Sequence, residues 1–238
     1  MLSHTAKRTQ HYSIVAAFSF VAATNLFGSP NSLCAQTTPL TPAAKFVDSA
    51  RVEIDAAALA DDAPRLERTV VMLDRALTAF PKDAYLLHYR GYANYRRVVH
   101  LFSTNAMQQA GTLIASAVAD LQSSSDKLRW AESFALLSAL QGFRIAMDPS
   151  LGQELGMEIG ALSGEAAKHG PNNPRVLLMA AYAMQNTPPE YGGGLDKARA
   201  LAERAIAAFA NDTPGPLAPT WGKAEAQALL KTLSGGSQ

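Results

Sequence analysis

The placing of proline and glycine constrains this chain more than any other feature. Breaks fall at Pro81, Asp148-Pro149, Gly170-Pro171, Pro188-Pro189 and Pro214-Gly215-Pro216, between apolar segments and seldom inside them. Proline removes a backbone donor and clashes with the preceding turn, so segments bounded in this way are free to be uninterrupted helices. Within them apolar residues recur at helical period, and no stretch alternates as a half-buried strand would. Helices are predicted at 44–60, 62–80, 84–102, 105–124, 127–147, 151–168, 174–187, 195–210 and 220–233. Asp62, ahead of Pro64, and Asp83, just after Pro81, stand where N-caps belong. Apolar residues make up 48% of the chain and charged ones 17%, enough for a packed core. Short connections make consecutive helices antiparallel neighbours, so the expected fold is all-α, built of antiparallel helical hairpins over residues 43–238.

The N-terminus reads as an export leader. Lys7, Arg8 and His11 precede an apolar run from Ile14 to Phe27, and small or turn-forming residues follow from Gly28 to Ala35. That run has the length of a signal h-region and is short for a bilayer span. Cleavage after Ala35 is expected, giving a leader over 1–35 and a Thr/Pro-rich tether over 36–42. Loss of Lys7 and Arg8 then turns the formal charge from +1 to −1, which disfavours a binder that tracks nucleic-acid phosphates. Cys34 is the sole cysteine, and its loss would leave neither disulfides nor thiolate metal sites. A lipoprotein would need a cysteine at the new N-terminus, but Leu33 stands where a small residue is expected. The predicted location is therefore periplasmic or secreted, with no transmembrane segment after cleavage.

A hairpin array should repeat, and a period near 34 residues is visible. One unit closes with Leu73, Ala76 and Pro81 and restarts with Leu87, Gly91 and Tyr95. A second closes with Ala166 and Pro171, reopens with Leu177 and Ala181, and continues through Ala198, Ala202 and Ala205. These residues resemble the tetratricopeptide repeat, with Gly91 at its glycine position. The resemblance implies a tetratricopeptide-like α-solenoid in which the first helix of each hairpin lines a concave face. Asn173-Pro174-Arg175, the run from Thr187 to Gly194, and Lys197-Ala198 resemble a block in exported tetratricopeptide-like proteins. Similar blocks occur in periplasmic helical proteins associated with tripartite solute transporters, which implies a binding or adaptor role.

Within that frame the richest candidate site is the third helix. Tyr85, Tyr89, Tyr92 and Arg96 share a stripe at i, i+4, i+7 and i+11, with His88 close by. Phenol hydroxyls and a guanidinium fork suit carboxylate, peptide or small polar ligands. The competing reading makes the tyrosines core and the arginines a solvated rim. Gly192, Gly193 and Gly194 could expose backbone N–H groups to an anion, or could simply shape a loop before a helix capped by Asp196. Trp130, Phe134, Leu137 and Gln141 fall at helical spacing and are expected in the core, while Trp221 is expected to cover the last layer of the stack.

Catalysis finds little to use. No His-Glu-x-x-His pattern, Gly-x-Ser-x-Gly elbow or phosphate-cradling loop occurs. Glu154, Glu158 and Glu165 are expected on a solvated helix face. The expected function is non-enzymatic, with no cofactor, metal or catalytic residue. The chain would dock a protein or peptide partner of the cell envelope on its concave face, the alternative being a small polar ligand in the service of a solute transporter.

Overall fold

The computed structural model describes residues 42–235. The expected leader and all of the tether but Pro42 lie outside the described residues; Pro42 itself opens the first helix. Nine α-helices follow one another among the described residues: α1 (Pro42–Ala60), α2 (Ala63–Ala79), α3 (Ala84–Ser103), α4 (Ala110–Leu128), α5 (Ala131–Met147), α6 (Gly152–His169), α7 (Pro174–Asn186), α8 (Leu195–Phe209) and α9 (Lys223–Gly235). Short 3-10 turns at Met107–Gln109, Pro149–Leu151 and Pro189–Tyr191 precede α4, α6 and α8.

Helix starts follow side-chain chemistry where a capping residue is present. Asp62 accepts from the Arg65 amide at 2.9 Å, Asp83 from the Tyr85 and Leu86 amides at 3.0 Å, and Asn173 from the Arg175 amide at 2.9 Å. Two starts depart from expectation. Trp130 was expected inside α5 but is its extended N-cap residue, because Arg129 takes a left-handed conformation (φ 52°) and ends α4 at Leu128. Asp196 does not cap α8; Gly194 holds that position, and the Asp196 side chain lies in solvent beside Arg199.

The helices pack as sequential antiparallel pairs, α3 with α4, α5 with α6 and α7 with α8, while α1 lies against α2. The odd-numbered helices α1, α3, α5 and α7 also touch in succession, which joins the pairs into one layered stack. Close approach of α3 and α4 depends on Gly91, where a Cβ would stand 2.7 Å from Leu121 Cγ and 3.3 Å from the Ala117 carbonyl oxygen. Arg90 secures the same pair, its Nε and Nη2 reaching the two oxygens of Asp120 at 2.7 and 2.6 Å.

After α8 the chain turns back across the stack. Arg175 of α7, almost fully buried, takes Asp212 in a two-point ion pair at 2.5 and 3.2 Å. Trp221 does not cover an end layer as expected; its indole stacks on Tyr92 of α3 at 5.2 Å between ring centroids. Gly222 then starts α9 at φ +107°, a conformation that side chains resist, in a space where a Cβ would meet Phe209 at 2.9 Å.

Candidate functional site

The aromatic stripe of α3 divides into two packed groups. Tyr85 and His88 pack edge-on against Trp130 at 5.3 and 4.8 Å, and His88 Nδ1 lies 2.9 Å from Ser133 Oγ. Burial pushes the His88 imidazole down to about 3, which keeps it neutral. Tyr89 donates its hydroxyl to the Leu217 carbonyl at 2.8 Å, and Tyr92 lies under Trp221. Neither tyrosine exposes surface, and burial raises both phenols well above their ordinary range.

Arg96 departs from the solvated-rim reading. Its guanidinium pairs with Glu225 of α9 at 3.0 Å, with only 15% and 16% of the two side chains exposed. Burial opposes its charge, and Tyr92 and Glu225 more than offset that, so its pKa stands above the usual value. The Tyr89, Tyr92 and Arg96 face of α3 is thus covered by the chain's own segment from Leu217 to Glu225.

The glycine loop is closed on itself. Gly192 donates to the Pro189 carbonyl, Gly193 to that of Pro188 and Gly194 to that of Met184, at 2.9, 3.1 and 2.9 Å. Gly193 presses on Thr187, and Lys197 reaches the Gly192 carbonyl at 2.7 Å. The three backbone donors are therefore engaged within the turn that joins α7 to α8. Glu158 and Glu165 of the expected solvated face take partners, Gln141 at 2.7 Å and Arg129 at 2.9 Å.

An open concavity lies elsewhere, between the α3–α4 and α5–α6 pairs. It is a groove of about 550 Å³ walled by Gly111, Ile114, Ala115, Val118, Ala119 and Gln122 of α4, and by Arg144 and Met147 of α5. Asp148 and Leu151 close its end. Gly111, Ala115 and Ala119 recur every four residues, so they form one shallow stripe on the helix, and small side chains there leave a trough. The antiparallel course of α5 sets Met147 opposite Gly111, its methyl carbon 3.9 Å from where a glycine Cβ would stand. Arg144 is steadied from its own helix by Gln141 at 2.8 Å. The volume falls within the roughly 300–1,000 Å³ of small-molecule sites, and the walls are mainly apolar with one cation at the rim.

None of these groove residues belongs to the site expected from sequence. The four-residue spacing of Gly111, Ala115 and Ala119 was a signal that could have found it, but the same pattern suits any tight helix contact. A smaller cavity of about 240 Å³ lies beside Arg97, His100 and Glu67, where His100 Nδ1 meets Asp61 at 2.8 Å. Among the described residues no group of three or more His, Cys, Asp or Glu side chains is placed to hold a metal ion. No described helix is long and apolar enough to cross a membrane.

Fold and groove together define an all-α protein of stacked hairpins with a ligand-sized, mainly apolar cleft between two of its pairs. Neither a protein-family model nor a curated protein sequence matches the chain. A similar solved structure is that of the HusA haemophore from Porphyromonas gingivalis, with a TM-score of 0.61 and 21% sequence identity. The match covers 84% of this chain and 98% of that one. At that identity the likeness establishes the shared fold.

Proposed function

We propose that this protein is an exported, non-enzymatic carrier of a small, flat, largely apolar ligand with an acidic edge, of which haem is the best example. The observation that carries the reading is the groove between α4 and α5. Its stripe of Gly111, Ala115 and Ala119 admits a planar face, and Val118 and Ile114 supply apolar contact. Arg144 stands where a carboxylate edge would be paired, and Met147 offers a thioether, a side chain that serves as an axial ligand in other haem proteins. Haem is cargo here, and no step of chemistry is asked of the protein.

The structural neighbour is a haemophore, which supports the same ligand class. The resemblance of residues 171–210 to proteins serving solute transporters, and the leader read at 1–35, support a carrier working outside the cytoplasm. Docking a protein or peptide on the Tyr89, Tyr92 and Arg96 face is less favoured, since the chain's own segment covers that face.

Titration of residues 36–238 with haemin, followed in the Soret band, tests the proposal. Saturable one-to-one binding is expected. Ala115→Trp should fill the trough and weaken binding at least tenfold with helicity unchanged. Arg144→Ala should cost about tenfold, as expected for loss of one charge-assisted pair worth ~1.5 kcal/mol. Met147→Ala should alter the haemin spectrum while leaving metal-free porphyrin binding nearly intact. Equal haemin affinity in wild type and Ala115→Trp would remove the groove as the site.

A further inference from the structure

The segment that follows α8 lies over the α1–α3 face through polar contacts that are few and individually placed. Arg51 of α1 reaches the Ala218 carbonyl at 3.4 Å, Tyr89 holds the Leu217 carbonyl at 2.8 Å, and Thr220 Oγ1 donates to Asp55 Oδ2 at 3.1 Å. Arg96 holds Glu225 at 3.0 Å. Leu217 itself sits at φ +62°, a left-handed conformation unfavourable for a residue with a side chain. Three buried polar atoms at this seam have no protein partner: Asp55 Oδ1, Tyr92 Oη and Trp221 Nε1. A buried polar group without a partner weakens the closed arrangement relative to one in water.

We propose that residues 217–225 form a proton-linked latch over the Tyr89, Tyr92 and Arg96 face, hinged beyond the fixed Arg175–Asp212 pair, with Asp55 as its titrating group: acid holds it shut, and neutral pH loosens it. Asp55 is enclosed by charges from every side of the seam. Arg51 lies on its own helix, Arg96 and the phenols of Tyr89 and Tyr92 on α3, Arg175 on α7, Thr220 and Trp221 on the latch, and Glu225 on α9.

The balance among these groups favours the neutral acid. Burial is the largest cause, and it pushes the Asp55 carboxyl up to about 6 from an ordinary 3.8, with Glu225 adding to the rise. The Thr220 hydrogen bond and the Arg96 and Arg175 charges oppose it. Opening the latch returns Asp55 to water and to its ordinary value, so closing takes up a proton. The contribution to closure is complete below about 3.8 and is lost as pH rises through about 6. An open latch would uncover the α3 residues singled out in the sequence. This inference does not depend on the groove reading, since the latch lies against α1, α3 and α7 rather than between α4 and α5.

Hydrogen exchange of the Trp221 indole N–H and of the Ala218 and Ala226 amides, corrected for intrinsic pH dependence, reads the opening equilibrium directly. Between pH 4.5 and 7.5 opening should rise by about tenfold or more and then level off, since each unit of pKa shift corresponds to tenfold. Asp55→Asn should stay at the closed level throughout. Thr220→Val removes a donor that favours the carboxylate, so its midpoint should move to higher pH; this variant serves as the test should Asp55→Asn fail to fold. Opening that is flat with pH in the wild type overturns the latch, as does an unchanged pH dependence in Asp55→Asn or an unmoved midpoint in Thr220→Val.

Discussion

His88 shows how a single residue sets an acid limit on the molecule. The ring is fully buried between Trp130 and Tyr89, with Nδ1 on Ser133 and Nε2 without a protein partner. Burial holds its pKa at about 3 against an ordinary 6.5. A depressed value means the unfolded chain binds the proton more readily, so stability is full above 6.5 and falls as pH drops towards 3. The loss should reach at most about 1.4 kcal/mol for each pH unit. Thermal unfolding at pH 7 and pH 5 should therefore show a larger drop in Tm for the wild type than for His88→Gln; equal drops would refute a buried neutral imidazole. Sequence placed His88 beside the tyrosine stripe, but its burial depends on Trp130 and Ser133, both more than 40 positions away.

At the scale of helices, most boundaries were legible because proline, glycine and capping carboxylates act locally. Asp62 and Asp83 each bond the amides that follow them. The break between α4 and α5 was read at 125–126, about four residues early: Arg129 carries it in a left-handed conformation, with no proline or glycine to fix its place. Asp196 misled in the opposite sense, since the glycine two positions earlier already holds the N-cap position of α8. The meeting of α3 and α4 was visible in Gly91, whose small size the repeat-like spacing singled out. Gly91→Leu should push Leu121 and the Ala117 backbone aside and lower stability by about 1–3 kcal/mol, the usual cost of overpacking. Chemical denaturation measures it, and a midpoint equal to wild type would mean that α3 and α4 can part at no cost.

For the whole molecule, the hairpin order could be read along the chain, but the return of the segment after α8 could not. Tyr89 meets Leu217 and Arg96 meets Glu225 across 128 and 129 positions, and no local pattern encodes such pairings. That return buries the face the sequence put forward, while the groove between α4 and α5 stays open. Groove and covered face are thus separate parts of the stack, which makes the location of a ligand decisive. Backbone amide shifts of the 36–238 chain on adding gallium protoporphyrin, a diamagnetic stand-in for haem, locate it. The account predicts perturbations centred on Gly111, Ala115, Ala119, Arg144 and Met147, with Tyr89, Tyr92 and Trp221 unmoved. Perturbations centred on Tyr89, Tyr92 and Trp221, or none at saturating ligand, would contradict it.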